Sequence, residues 1–244
     1  MQKHKCIGII GGVGPQATGY LYRTLIDLAQ EQYGAPENHL FPRVLIVSEP
    51  VLDFISSKEN VPVARKQIFS ATDQLLDGGA TCIAIVSNTV HLLASEVEAV
   101  CEKAGVQFVS MLNVVAETCA TRGFSTVGLL GSPVTLQSDL YDLAVAKQGV
   151  QLFKPSAKAY AQLGCIIKEV IAGNVSAKNK KTFLCLLSEL SKDTDAVILG
   201  CTELPVLNAQ LKTKYMVVDT SKVLAIALLE YYYITTETNH EGNI

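Results

Sequence analysis

The sequence predicts an α/β protein of two similar halves, each a mostly parallel four-stranded sheet flanked by helices. Three observations predict it. Short apolar runs alternate with longer amphipathic stretches. The runs are continuously apolar, as in strands covered on both faces. The whole series then occurs a second time, in the same order.

In the first half the strand runs are KCIGIIGG (5–12), RVLIVSEP (43–50), CIAIVSNT (82–89) and VQFVSMLN (106–113). In the second they are TVGLLGSP (126–133), VQLFKPSA (150–157), AVILGCTE (196–203) and YMVVDTSK (215–222). Gly, Pro, Ser or Asn bounds most of them, as expected where strands turn into loops. Between them, stretches such as VARKQIFSATDQLLDGGA (63–80) and KKTFLCLLSELSKDTDA (180–196) have helical spacing and end in turn or polar residues. LQSDLYDLAVAK (136–147) reads as a helix opening after GSPVT.

The halves pair in order: IGIIGGVGP with TVGLLGSPVT, CIAIVSNTVH with AVILGCTELP, and FVSMLNVVAE with MVVDTSKVLA. Their offset shrinks from about 120 to about 109 residues, as a duplication with small deletions would give. The expected domains are 1–112 with 221–244, and 113–220. The polar end of YYYITTETNHEGNI is expected to fray.

Half of the 244 residues are apolar, enough for a substantial core, and the net charge is −3. No basic stripe marks a nucleic-acid partner. Apolar runs stop well short of a membrane span, and the first ends in GGVGP, so it reads as a strand and not a signal peptide. Seven cysteines, an odd number without a CxxC, suggest a reduced cytoplasmic protein. No spacing of His, Cys and acids suggests a metal site.

In parallel sheets function collects at the carboxyl ends of strands. That selects GGVGP, SEP and SNTVH from the first half, and GSPVT, KPS and GCTELP from the second. If the halves face one another, Ser87 and Cys201 lie on opposite walls of one cleft between them. GGVGP is not a dinucleotide fingerprint, because Gln16 and Ala17 stand where a third glycine would be needed, and it is no phosphate loop. Its glycines, Gly12 among them, read as allowing backbone to approach a small substrate. Ser132 and Thr135 sit where a helix N-terminus would offer N–H groups to a carboxylate.

GGVGP (11–15), SNTVH (87–91), GLLGSPVT (128–135) and GCTELP (200–205) resemble the signature loops of the aspartate/glutamate racemase family, closest to its cofactor-independent aspartate racemases. The resemblance covers nearly the whole chain. It implies two pseudo-symmetric α/β domains, a homodimer, and racemisation of an amino acid without pyridoxal phosphate or metal. In that family two cysteines flank the α-carbon; one thiolate removes the proton while the other thiol returns one to the opposite face. A thiol suits this because its pKa of about 8.5 can be lowered by its site. The first family cysteine falls on Ser87 and the second on Cys201. The resemblance also implies that Asn88, Thr89 and Thr202 hydrogen-bond the substrate carboxylate or ammonium. Glu203 is read as orienting the ammonium or as a helix-start acid.

Ser87 is the main departure, since a hydroxyl is too weak an acid to replace a thiolate unaided. Three explanations stand: an engineered substitution that impairs the enzyme, a natural variant in which His91 assists, or a decarboxylase that needs only the second cysteine. A catalytically dead amino-acid-binding protein is the non-enzyme alternative. His91 otherwise reads as structural. Two further departures concern the side-chain carboxylate. The stretch SEPVLDFISS (48–57) lacks the arginine of the aspartate branch, and Ile171 replaces its lysine before AGN, with Lys168 one turn earlier as a substitute.

Overall fold

The computed structural model describes residues 5–52 and 60–234. His4, His240, the last part of SEPVLDFISS and the tail from 235 lie outside the described residues.

Strands β1 (Ile7–Gly11), β2 (Val44–Ser48), β3 (Cys82–Ile85) and β4 (Gln107–Val109) form one sheet in the order β2-β1-β3-β4. Strands β5 (Thr126–Gly131), β6 (Gln151–Phe153), β7 (Ala196–Gly200) and β8 (Val217–Asp219) repeat it as β6-β5-β7-β8. Every pairing is parallel. The predicted architecture is therefore the observed one. The central strands β1, β3 and β7 are buried at every residue, which is why their sequences are continuously apolar.

The helices are α1 (Pro15–Tyr33), α2 (Val61–Asp77), α3 (Ala94–Lys103), α4 (Met111–Thr121), α5 (Pro133–Gln137), α6 (Leu140–Ala146), α7 (Ala157–Ile171), α8 (Ala177–Leu190), α9 (Glu203–Leu211) and α10 (Thr220–Tyr233). Proline opens α1, α2 and α5, where its missing N–H costs nothing. Side chains of Ser110, Ser132, Ser176 and Asp219 cap the free N–H groups that start α4, α5, α8 and α10. The single helix expected over 136–147 is in fact two. Ser138 is extended, with φ −88° and ψ 165°, and its hydroxyl donates to the Thr135 carbonyl, so α5 stops before α6 begins.

The last helix of each half leans on the other half. Helix α4 packs on α6, and α10 packs on α1 and α4. Lys5 Nζ donates to the Tyr231 carbonyl (2.6 Å), and Tyr231 donates back to Thr81 O (3.0 Å). One apolar cluster consequently runs from Ile7, Ile9 and Leu21 through Val115, Leu224 and Leu228 to Leu129 and Ile198. The opposite face of the first sheet holds a separate cluster, in which Ile10, Ile83 and Ile85 meet Ala64, Ile68 and Leu75 of α2. Among the described residues no helix is long and apolar enough to cross a membrane.

Candidate active site

Parallel strands deliver their carboxyl ends to one side of each sheet, and the loops singled out in the sequence follow β1, β3, β5 and β7 there. Ser87 lies just beyond β3 and Cys201 directly after β7; both are buried. The chain beyond Ser87 tightens into a 3₁₀ turn over Thr89–Leu93, and beyond Cys201 it enters α9.

Each of these loops reaches into the other half. Thr89 Oγ1 lies 3.0 Å from Ser132 Oγ and 3.1 Å from Thr135 Oγ1, and those two hydroxyls are 3.0 Å apart. Three buried hydroxyls thus form a closed triangle between the β3 loop and the start of α5. Asn88 accepts a hydrogen bond at Oδ1 from the buried Tyr141 phenol on α6. On the related side, Glu203 lies against Gly14 of the β1 loop; a methyl group added to Gly14 would collide with its Oε1. The duplicated halves therefore use equivalent loops to grip one another.

Cys201 and Glu203 form an acid pair. The thiol donates to Glu203 Oε2 at 2.9 Å, and Thr202 Oγ1 donates to the same oxygen at 3.3 Å. Burial, reinforced by the adjacent carboxylate, pushes the Cys201 thiol well above the ordinary thiol range. Burial likewise raises Glu203, opposed by the hydrogen bond from Cys201. Cys201 in this state is a thiol and so an acid; it becomes a base when its proton moves to Glu203 or leaves.

Ser87 has no such partner. Its hydroxyl accepts a long bond from Val90 N–H, 3.4 Å. His91 is close in sequence but occupied. Met111 N–H donates to its Nε2 at 3.1 Å, so that nitrogen carries a lone pair; the proton sits on Nδ1 and points at the Ser87 carbonyl, 2.8 Å away. Burial drives the imidazole pKa down from 6.5 to about 4, against the hydrogen bond to Ser87 O. His91 ties β3 to the N-terminus of α4 and has no free nitrogen for the Ser87 hydroxyl.

Among the described residues, three buried polar side-chain atoms lack a partner: Asn88 Nδ2, Glu203 Oε1 and Ser221 Oγ. Unpaired buried groups are rare and costly, and two of these three belong to this site. One offers donors and the other accepts, which fits a ligand carrying both a carboxylate and an ammonium.

The remaining expected positions are spread more widely. Gly12, at φ +88°, is approached by the backbone of Glu49, and its N–H donates to Thr18 Oγ1 at 3.0 Å. Lys168 is exposed on α7. Ile171, a turn later, lies beside Gly14, and its carbonyl accepts from Gln16 Nε2 at 2.6 Å. Sequence reasoning missed Tyr141. The only signal was an aromatic residue in an otherwise aliphatic and polar stretch. No cluster of His, Cys and acids that would hold a metal occurs among the described residues.

The chain is a duplicated parallel α/β protein in which equivalent strand-end loops carry a buried serine in one half and a buried thiol–carboxylate pair in the other. Residues 10–228 match the profile of the Asp/Glu/hydantoin racemase family, and the chain belongs to that family. It is 26% identical over 230 residues to the broad specificity amino-acid racemase RacX of Bacillus subtilis, covering 93% of this chain and 97% of that one. Among solved structures it resembles PH1733, an aspartate racemase homologue from Pyrococcus horikoshii, with 30% identity, TM-score 0.75, and 93% and 99% of the two chains covered. It shares its fold with the aspartate racemase of Picrophilus torridus, at 24% identity and TM-score 0.78 over 93% and 94% of the chains.

Proposed function

We propose that this chain is an amino-acid racemase that moves the α-proton without a cofactor, with aspartate as the first substrate to test. Cys201 carries the acid–base chemistry, and the Cys201–Glu203 pair is the single observation that supports this most strongly. In the base form the thiol proton rests on Glu203, and the thiolate takes the α-proton. In the acid form Cys201 returns a proton to the planar carbanion. Asn88 Nδ2 donates to the α-carboxylate, joined by Thr202 and the Thr89–Ser132–Thr135 hydroxyls as they turn their protons from their present partners, while Glu203 Oε1 faces the ammonium. On the other wall Ser87 has no base, so proton delivery there runs through its hydroxyl or a water held by it. The expected enzyme is asymmetric: it exchanges the α-proton of one enantiomer more readily than it inverts it.

One observation favours a neutral substrate side chain over aspartate. Beside Gly14 the described residues place Ile171 and the Glu203 carboxylate, and a second substrate carboxylate there would be desolvated next to an acid. The assay therefore pairs aspartate with alanine and serine.

The test is α-proton exchange in D₂O, followed by NMR and chiral chromatography, with each enantiomer separately. Wild type should incorporate deuterium into one enantiomer faster than it produces the other. Cys201→Ala should lose about 10²–10⁴-fold in exchange, the usual worth of a positioned acid–base group. Ser87→Cys should raise inversion in both directions. Exchange that survives in Cys201→Ala sinks the assignment. Release of CO₂ from an aryl-malonate without exchange identifies a decarboxylase, and binding without exchange a binding protein.

A further inference from the structure

We infer that Tyr141 is a positioning residue that sets the Asn88 amide to read the substrate carboxylate and braces the backbone before Cys201. The inference rests on the racemase reading given above and assigns a part of the same site.

Tyr141 is fully buried on the short helix α6, in the half opposite to Asn88. Its phenol O–H donates to Asn88 Oδ1. With the phenol as the donor in this contact, the amide oxygen faces Tyr141. A phenol bonded to the oxygen leaves the NH₂ end of Asn88 facing away, and Nδ2 is the buried donor that finds no protein partner. Without the phenol the two ends of the amide are nearly isosteric and free to exchange. The flipped amide would turn oxygen lone pairs toward the substrate carboxylate and repel it. Asn88 is the residue after Ser87, so an error here falls directly beside the reacting carbon.

The ring has a second contact. It lies against Gly200, where an added Cβ would sit 3.2 Å from Tyr141 Cε2. Gly200 ends β7 and precedes Cys201, so one side chain touches the residues next to both Ser87 and Cys201. The two contacts separate by substitution: Tyr141→Phe keeps the ring under Gly200 and removes only the hydroxyl.

The experiment is a double-mutant cycle on the full chain, with Tyr141→Phe, Asn88→Ala and the double variant, assayed by α-deuterium exchange of the enantiomer that wild type exchanges. Loss of one buried hydrogen bond corresponds to about a fivefold to tenfold change. Tyr141→Phe should raise KM by about that factor and lower kcat less. In the Asn88→Ala background the same change should have no further effect on KM, because the hydroxyl acts only through the amide. An unchanged KM in Tyr141→Phe, or an effect that adds in full to that of Asn88→Ala, overturns the inference. A general loss of packing would instead lower kcat and the melting temperature together in both backgrounds, and also overturns it.

A readout without turnover keeps this separate from the racemase reading. The side-chain amide ¹H–¹⁵N pair of Asn88, assigned by its absence in Asn88→Ala, should shift and exchange faster with water in Tyr141→Phe. If wild type shows no exchange chemistry, the proposed function falls and this signal alone decides: a shifted pair upholds the positioning role, an unmoved pair removes it.

Discussion

Ser87 and Cys201 occupy equivalent places after equivalent strands, yet only one has an acid beside it. The difference should be measurable as a titration. Glu203 adds its charge to burial in raising the Cys201 thiol, so Glu203→Gln should let the thiolate form at lower pH. The check is absorbance at 240 nm against pH, taken as the difference from Cys201→Ala so that the other six cysteines cancel. A thiol that titrates at the same or higher pH in Glu203→Gln contradicts the pairing. Gly14 bears on the same carboxylate. At φ +41° and in contact with Glu203 Oε1, it has room for no side chain. Gly14→Ala should cost about 1–3 kcal/mol of unfolding free energy, in line with other enforced positive-φ residues, and should displace Glu203. Equal stability and equal exchange rates in that variant would contradict the contact.

At the scale of elements, His91 links the end of β3 to the start of α4 and gives the fold a pH dependence of known sign. Its pKa is 6.5 when exposed and about 4 in the folded chain. Both states are neutral above 6.5, so the stabilisation is fully present there; it is lost as pH falls through the window to about 4, where the unfolded chain binds the proton first. The shift corresponds to about 3 kcal/mol. Glu203 and Asp219 have raised pKa values and act oppositely, their contribution being lost as pH rises. A comparison with His91→Asn isolates the imidazole. Urea unfolding at pH 7.5 and 4.5 should show the variant losing less stability on acidification than wild type; parallel losses would refute the assignment. The strands and the helix start at Ser132 were legible in the sequence, because buried parallel strands are continuously apolar and a cap lies within three residues of its target. The break at Ser138 was not. Helical spacing continues across it, and the extended backbone and hydroxyl contact at Ser138 show only in the folded chain.

At the scale of the molecule, duplication made the two halves readable while hiding what joins them. The pairing of SNTVH with GCTELP selected Ser87 and Cys201 as equivalent candidates from sequence. The triangle of Thr89 with Ser132 and Thr135, and the bond from Tyr141 to Asn88, join residues 43 to 53 positions apart, which no local pattern encodes. The crossing helices carry the larger consequence. Helix α10 follows β8 of the second sheet but lays Leu224, Leu228 and Leu229 into the cluster it shares with α1 and α4. The larger cluster therefore belongs to both halves, and the chain should unfold in one step although its sequence reads as two domains. Ending the chain after Asp219 removes α10 whole and uncovers the faces of α1 and α4 that it packs on. Because three large buried side chains at about 1.5–3 kcal/mol each rival the whole stability of a domain, the shortened chain should lose cooperative unfolding in both halves. Hydrogen exchange read by mass spectrometry distinguishes the cases. In the full chain β3 and β7 should share the same slowest opening. In the shortened chain both should exchange rapidly. A second sheet that stays protected without α10 would mean that the halves are separate folding units, and that the pairing of their catalytic loops is a docking event rather than a condition of the fold.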